Sequence, residues 1–241
     1  KSNSLVLIDA GNTLVKVGLI ENGALTEVKR FQLNEYTLFE GFIASTSISE
    51  GIISSVLSDK DTKKWIKALP DVFIVDSSTP NPLTNAYTTP ETLGVDRICN
   101  ACGMLPKMNT QYGVCIDIGT CIKFDLIDED DNYIGGSISP GISLRYKSLF
   151  DYTGKLPLLS NKNEVSIVGI DTETSMRSGV INGVKKEIEG FMQSYQDQYK
   201  SLTFFVTGGD AKYFDLESKN DIFADENLTL LGLYEIFKHN A

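Results

Sequence analysis

The chain has 241 residues, of which 41% are hydrophobic and 22% are charged. This composition is typical of a globular protein with a large buried core, and it excludes disordered, collagen-like and coiled-coil proteins. The 22 Lys and Arg against 32 Asp and Glu give a formal net charge of −10. Because an acidic surface repels a phosphate backbone, the sequence predicts no nucleic-acid partner.

The apolar run at the start of the chain, residues 5–8, stops at Asp9. It is too short for the core of a signal peptide or for a membrane span, and no later run is long enough either. We therefore expect a cytoplasmic protein with no membrane partner.

The predicted elements form two similar series along the chain. Each series consists of a strand, an aspartate, a glycine turn, a second extended run and another turn, over residues 5–23 and again over 114–132. Self-similarity of this kind is the signature of a duplicated unit. After each series, helix and strand patterns alternate as in α/β proteins. These patterns predict strands at 52–56, 72–75 and 204–206, and helices at 63–69, 94–108, 172–199 and 228–238.

A polar connector at residues 109–111 separates the two series. The sequence thus predicts an α/β protein of two similar halves, residues 1–110 and 111–241. In such a pair the glycine turns that follow the first strands face each other, so we expect the active site in the interdomain cleft.

Three glycine turns have the parts of a nucleotide site. Asp9 to Thr13 and Asp117 to Thr120 combine a carboxylate for a cation with backbone and hydroxyl donors for phosphate. Thr207 to Ala211 follows a buried strand, and its double glycine permits the close backbone approach that an adenosine requires. Simpler alternatives are a tight hairpin for the first turn and a helix-capping turn for the third.

The sequence offers few residues for other kinds of nucleotide site or catalysis. The P-loop and Rossmann glycine patterns are absent, and the single histidine, His239, lies two residues from the C-terminus. A general base must therefore be a carboxylate. Cys99 and Cys102 form a C-x-x-C pair, but their apolar surroundings favour buried thiols over a metal or redox site.

Five motifs in order give the chain a family resemblance: Asp9-x-Gly-Asn-Thr, Gly94-Val95-Asp96-Arg97, Asp117-x-Gly-Thr, Gly135-Gly136-x-Ile-x-Pro140-Gly141 and Thr207-Gly208-Gly209-Asp210. Together they resemble type III pantothenate kinase, over about residues 5–236. That family belongs to the superfamily of acetate and sugar kinases, heat-shock cognate proteins and actin. Its duplicated actin-like (ribonuclease H-like) fold agrees with the internal repeat.

The resemblance implies ATP-dependent phosphorylation of pantothenate to 4′-phosphopantothenate, the first step of coenzyme A biosynthesis. It implies that Asp96 is the general base, and a positioned carboxylate is chemically suited to accept the proton of an alcohol. The remaining substrate-binding residues that it implies are Tyr87, Gly94, Val95, Arg97 and Thr172. Those that it implies for ATP are Asp9, Ala10, Gly11, Asn12, Thr13, Leu14, Val15, Lys16, Thr120, Gly208 and Gly209.

The resemblance also implies two cations and a second subunit. Asp9 would lie near Mg²⁺, and Asp117 would bind a monovalent K⁺ or NH₄⁺. Thr172 would reach the pantothenate of a neighbouring subunit, which implies a homodimer. Without the resemblance, Asp96 and Arg97 are interpreted as a surface ion pair at the start of a helix. Thr172 is then interpreted as a helix cap.

Two residues depart from the usual family pattern after the second glycine turn, Cys121 and Lys123. Lys123 brings a cation next to the second phosphate turn, where we expect it to alter nucleotide affinity or partly replace the monovalent ion. Two other functions remain alternatives: another small-molecule kinase or phosphatase of the same superfamily, and a non-enzymatic regulatory accessory factor.

Overall fold

The computed structural model describes residues 4–161, 165–216 and 222–241. The chain folds into two compact units. The first contains the described parts of 1–107, 130–135 and 227–241, and the second those of 108–129 and 136–226. The C-terminal segment, which lies in the predicted half 111–241, thus belongs to the first unit.

The strands are numbered here in chain order. Those in the described residues are β1 (Ser4–Ala10), β2 (Leu14–Glu21), β3 (Ala24–Gln32), β4 (Ile48–Ser55), β5 (Val72–Ile74), β6 (Thr84–Asn85), β7 (Tyr112–Ile118), β8 (Cys121–Asp128), β9 (Asn132–Pro140), β10 (Leu202–Thr207) and β11 (Ile222–Ala224).

The α-helices are numbered in the same way. Those in the described residues are α1 (Tyr36–Ala44), α2 (Asp59–Ile66), α3 (Val95–Met104), α4 (Ile142–Asp151), α5 (Thr172–Arg177), α6 (Gly183–Gln198) and α7 (Leu228–Asn240). A π-helical turn, Ser178–Asn182, joins α5 to α6.

The sheet of the first unit has the order β3-β2-β1-β4-β5. The strand β1 pairs antiparallel with β2 and parallel with β4, and β4 pairs parallel with β5. The residues of β1 are almost all buried, as expected for a central strand covered on both faces. One face of the sheet packs on α1 and α2 through Phe39 and Trp65. The centroids of these two rings are 5.0 Å apart, in an edge-on arrangement.

Helices α3 and α7 pack closely on each other in the first unit. Gly232 permits this approach, because a Cβ there would lie 1.7 Å from the carbonyl oxygen of Cys99. Gly103 does the same against the carbonyl oxygen of Leu228. The contact fixes α3, whose first turn contains Asp96, to the body of this unit.

The second sheet repeats the plan of the first over five strands. These follow the order β9-β8-β7-β10-β11, with β7 antiparallel to β8 and parallel to β10. A sixth, short strand, β6, pairs parallel with β9 at the edge of this sheet. One face carries a core that includes Ile116, Phe124 and Phe204, covered by apolar residues of α6. The duplication predicted from the two sequence series is thus present as a five-strand order that the two sheets share.

The predicted elements are found close to their expected positions, with some additions. The helix predicted over 94–108 ends as α3 at Met104 and continues as a 3-10 turn, Leu105–Lys107. The long helix predicted over 172–199 is interrupted by the π-helical turn. Its predicted apolar positions are buried apart from Phe191, which is 37% exposed and stacks on Phe124. The sequence analysis missed β3, β6, β9, β11, α1 and α4.

Among the helices of the described residues, none offers an apolar stretch of the length that a bilayer crossing needs.

Candidate active site

The first glycine turn joins β1 to β2 and presents the carboxylate of Asp9. The Gly11 N–H donates to the Leu14 carbonyl at 3.0 Å and closes the turn, which leaves Asn12 and Thr13 exposed. The Ser54 hydroxyl, on the neighbouring strand β4, donates to Asp9 Oδ1 at 3.2 Å. This hydrogen bond holds the Asp9 carboxylate beside the exposed turn, as a cation ligand beside a phosphate would require.

The other residues predicted to bind ATP in this hairpin differ in what they can offer. Ala10 and Val15 are buried in the core, so only their backbone atoms can reach a ligand. Lys16 is partly exposed and lies directly opposite Asp9 in the β1–β2 register. It is therefore the cation nearest in register to the Asp9 carboxylate.

Asp96 lies in the first turn of α3, where helix N–H groups favour a negative charge. Its Oδ1 accepts a hydrogen bond from the Arg97 N–H at 2.9 Å. A Cβ at position 94 would lie only 2.7 Å from the same Oδ1. Gly94 therefore gives the Asp96 carboxylate the room to bend back over the start of the helix.

The Arg97 side chain packs against two aromatic rings. It is 4% exposed, and its guanidinium carbon lies 5.8 Å from the Tyr87 ring centroid and 5.9 Å from that of Tyr133. The centroids of these two rings are 6.0 Å apart, in an edge-on arrangement. Arg97 is thus buried, whereas the interpretation as a surface ion pair requires an exposed side chain, and its guanidinium adjoins an aromatic wall.

In the second unit, Asp117 and Lys123 form an ion pair across β7 and β8. The two residues are directly opposite in the strand register, and Lys123 Nζ lies 2.8 Å from Asp117 Oδ2. Each side chain is only 14% exposed. The carboxylate predicted to bind a monovalent ion is thus paired with a cation of the chain itself.

Three glycine-containing segments of the second unit meet at the end of β7. The Gly208 φ of +98° lies in the region that favours glycine, and a Cβ there would be 2.3 Å from the Ile118 carbonyl oxygen. The Asp210 N–H donates to that same carbonyl at 2.9 Å, and the Gly141 N–H donates to the Thr120 carbonyl at 2.9 Å. The predicted phosphate turn and adenosine turn are therefore in direct contact.

Partial burial raises the pKa of the Asp210 carboxyl above its usual value, and the charge of Lys212 opposes this shift. Gly209 has open space where a Cβ would project. The exposed side of this turn is therefore free of side-chain bulk at the position where a flat ring would approach.

Thr172 is exposed at the start of α5 in the second unit. It does not cap the helix, because Asp171 does so through a hydrogen bond from the Thr174 N–H at 2.8 Å. Three apolar residues shortly before it are also exposed: Ile167 by 73%, Val168 by 68% and Ile170 by 92%. Exposed apolar side chains close together in the chain make this segment a candidate for contact with a partner.

The cysteines are free thiols, and Cys99, Cys102 and Cys115 are buried. Burial, with the nearby Cys102 and Asp9, raises the pKa of the Cys99 thiol well above its usual range. Burial also raises the pKa of Cys102. In the parts of the chain that the structure describes, no three His, Cys, Asp or Glu side chains cluster as a metal site.

Sequence reasoning missed two residues of these clusters, Ser54 and Tyr133. Ser54 ends an apolar strand beside β1, and a hydroxyl at the end of a buried parallel strand is a signal that could have identified it. Tyr133 follows an acidic turn in β9, and no motif distinguishes it.

Comparison with known proteins assigns the chain to a family. The family model for type III pantothenate kinase matches residues 5–194. The chain is 38% identical over 240 residues to the type III pantothenate kinase of Christiangramia forsetii, with 98% of each chain covered. The chain belongs to the type III pantothenate kinase family. It is therefore a kinase, and as such it uses ATP with a divalent metal ion.

Solved structures support the fold. A Campylobacter jejuni chain assigned to the Baf family of transcriptional activators is 23% identical, with 98% of each chain covered and a TM-score of 0.62. An activator of 2-hydroxyisocaproyl-CoA dehydratase from Clostridium difficile, with bound ADPNP, is 13% identical, with 98% of this chain and 96% of that chain covered and a TM-score of 0.56. The kinase has the actin-like fold that the family resemblance implied, and this fold contains the duplication that the internal repeat predicted.

Proposed function

We propose that this kinase transfers the γ-phosphate of ATP to the 4′-hydroxyl of pantothenate, opening coenzyme A biosynthesis, with Asp96 as the general base. The observation that carries the assignment of the base is the position of Asp96, in the first turn of α3 and next to the buried Arg97. The reaction is inferred from the family. The residues around Asp96 are proposed to bind its acceptor, pantothenate.

A hydrogen bond orients the Asp96 carboxylate. The Arg97 N–H holds one carboxylate oxygen, so the group does not rotate freely. In the reaction the substrate hydroxyl oxygen bonds to the γ-phosphorus, the bond to the ADP oxygen breaks, and the hydroxyl proton passes to Asp96. Phosphoryl transfer through a loose transition state depends mainly on such positioning and on charge neutralisation.

Arg97, Tyr87 and Tyr133 form the wall on which we place pantothenate. Pantothenate carries a carboxylate, and a buried guanidinium gives an anion a fixed positive partner. The edge-packed rings of Tyr87 and Tyr133 hold this guanidinium in place. Gly94 and Val95 complete this binding segment at the start of α3.

The phosphates of ATP are assigned to the two glycine turns. In the first unit the exposed turn after Asp9, together with Lys16, offers backbone donors and a cation. In the second unit Thr120 takes a further phosphate contact, and Gly208 and Gly209 accept the adenosine.

Mg²⁺ is the divalent ion that we place at Asp9. Magnesium is usually bound by one or two carboxylates together with substrate phosphates, so the single carboxylate of Asp9 fits it. When bound, the ion neutralises charge on the phosphates. The Ser54 hydroxyl orients the Asp9 carboxylate for this role.

The K⁺ or NH₄⁺ that the resemblance assigns to Asp117 fits this structure poorly. Lys123 already places an ammonium 2.8 Å from the Asp117 carboxylate, in a largely enclosed position. We assign no step to a monovalent ion.

A homodimer is proposed from the region around Thr172. The exposed run of Ile167, Val168 and Ile170 gives a second copy of the chain an apolar surface next to Thr172. Thr172 would then enter the pantothenate site of the neighbouring subunit. We place the enzyme in the cytoplasm, where ATP is available.

The reaction is tested by incubating the protein with ATP, magnesium and pantothenate, following ADP release and identifying the product by ³¹P NMR. Acetate and a panel of sugars serve as alternative acceptors. We expect pantothenate-dependent ADP release and a phosphomonoester of pantothenate. ADP release with a sugar or acetate alone would show that another activity of the superfamily is present.

The shared site is tested by mixing two inactive variants, Asp96→Asn and Thr172→Arg. If Thr172 serves the neighbouring subunit, a mixed dimer has one site with both native residues. Random exchange of subunits then restores about a quarter of the native rate. Failure of the mixture to regain activity, with mixed dimers demonstrated, would place Thr172 in its own subunit's site.

A further inference from the structure

The ion pair between Lys123 and Asp117 has the geometry of a built-in counterion. The two residues are directly opposite on antiparallel strands, where side chains on the same face are in contact. Their charged atoms lie 2.8 Å apart, and each side chain is 14% exposed. The neighbours of the pair along the two strands are Ile116 and Ile118 in β7 and Ile122 in β8. All three are fully buried, so core packing holds both strands in place.

The charges on this face of the sheet explain why a cation is needed there. Alternate residues of a strand share a face, so Asp125 lies on the same face of β8 as Lys123. Asp125 is fully buried. Two carboxylates, Asp117 and Asp125, thus share the face with the Lys123 ammonium, next to a turn assigned to bind phosphate.

A lysine ammonium and a bound monovalent ion supply the same charge to such a site. The ammonium is a compact unit charge with three N–H donors. Because it is covalently attached and already paired, it needs no reorganisation when the phosphates arrive. A free ion must instead be captured from solution.

We propose that the Lys123 ammonium takes the place of a monovalent cation at Asp117, so that this kinase transfers phosphate without a requirement for K⁺ or NH₄⁺. This inference rests on the proposed function, because that function gives Asp117 its place beside the phosphates.

The test compares the native protein with Lys123→Thr, and with Lys186→Thr as a control for the loss of one lysine. Lys186 lies on α6 in an exposed ion pair with Glu189, outside the site. Rates of phosphopantothenate formation are measured in potassium chloride and in tetramethylammonium chloride at equal ionic strength. Thermal unfolding midpoints are measured in the same two salts without substrates.

The native protein and Lys186→Thr should give rates that differ by less than about twofold between the salts. Lys123→Thr should lose more than about tenfold of its rate in tetramethylammonium and recover it in potassium. Potassium should raise the unfolding midpoint of Lys123→Thr and leave those of the other two proteins unchanged.

Three results would overturn the inference. They are a native rate that requires potassium, a Lys123→Thr rate that is equal in both salts, and a Lys123→Thr midpoint that potassium leaves unchanged. If the native protein does not phosphorylate pantothenate in either salt, the proposed function fails instead. The unfolding midpoints then still decide whether Lys123 occupies a cation site, since they need no substrate.

Discussion

The hairpins β1–β2 and β7–β8 begin the two units with the same plan. In both, an aspartate near the end of the first strand faces a lysine in the register: Asp9 faces Lys16, and Asp117 faces Lys123. A hydroxyl reaches the carboxylate of Asp9, because Ser54 on the next strand donates to its Oδ1 at 3.2 Å. At Asp117 the Lys123 ammonium lies 2.8 Å from the carboxylate.

The comparison indicates how a duplicated frame can serve two purposes. The Ser54 hydroxyl orients the Asp9 carboxylate, which we propose as a ligand of Mg²⁺. The Lys123 ammonium neutralises the charge of Asp117 within the protein. On the proposed function, the same strand geometry therefore supports a ligand for a divalent ion in the first unit and a self-contained ion pair in the second.

The largest effect is expected for Asp9→Asn. Loss of the carboxylate charge should lower kcat by about 10²–10³-fold, because the ion on the phosphates loses its protein ligand. The matched variant Ser54→Ala, which keeps the carboxylate and removes its orienting hydrogen bond, should lower kcat by only about tenfold. Steady-state rates over a magnesium titration measure both, and a native rate for Asp9→Asn would contradict the assignment.

Gly208→Ala should destabilise the protein more than Gly11→Ala, its counterpart in the first hairpin. The positive φ of Gly208 and the Ile118 carbonyl 2.3 Å from a Cβ together cost about 3 kcal/mol. At Gly11 a Cβ would lie 3.2 Å from the Leu14 carbonyl, and Gly11→Ala should cost about 1 kcal/mol. Urea unfolding compares the two, and equal losses would show that the turns are packed alike.

Asp117→Asn should lower the free energy of unfolding by about 2 kcal/mol, since it leaves the Lys123 ammonium without its carboxylate in a largely enclosed place. The control Asp151→Asn, which breaks the more exposed ion pair with Lys147, should change it by less than about 1 kcal/mol. The double variant Asp117→Asn/Lys123→Met should regain part of the loss. If Asp117→Asn costs no more than Asp151→Asn, the description of Asp117 and Lys123 as a self-contained ion pair is wrong.

The smallest expected effect concerns pH and Asp210. Burial raises the pKa of this carboxyl in the folded protein, so the folded state holds the proton more tightly than the unfolded state. Its contribution is most favourable at pH values below the ordinary carboxyl pKa, and it is lost as pH rises through the raised value. Asp210→Asn should therefore gain stability relative to native protein at pH 7 but not at pH 3, as measured by chemical unfolding.

Much of the fold could be predicted because it repeats. The similarity between residues 5–23 and 114–132 reflects two antiparallel strand pairs that are each joined by a glycine turn, and buried β-branched runs indicated the parallel strands. The strand β3 was not predicted, because most of its residues are exposed and show no alternating apolar pattern. The chain position of α7 did not indicate its unit, since α7 joins the first unit by packing against α3, β1, β2 and β4.

The residues of the candidate site that belong to sequence motifs could be predicted. Those that join it only through tertiary contacts could not. Asp9, Asp96 and Gly208 belong to local sequence patterns. Tyr133 reaches Arg97 only through the folding of β9, and the Asp117–Lys123 pair depends on strand register. The sequence motifs also leave open whether the Lys123 side chain is directed to phosphate or to Asp117. In this structure it forms an ion pair with Asp117.

The most direct measurement of the central claim is the rate of phosphopantothenate formation by Asp96→Asn beside that of Asp59→Asn. Both aspartates lie in the first turn of a helix, α3 and α2 respectively, so the two variants lose the same charge from similar positions. The account predicts a loss of at least about a hundredfold for Asp96→Asn, with native unfolding behaviour, and a change of less than about twofold for Asp59→Asn. A native rate for Asp96→Asn would contradict it.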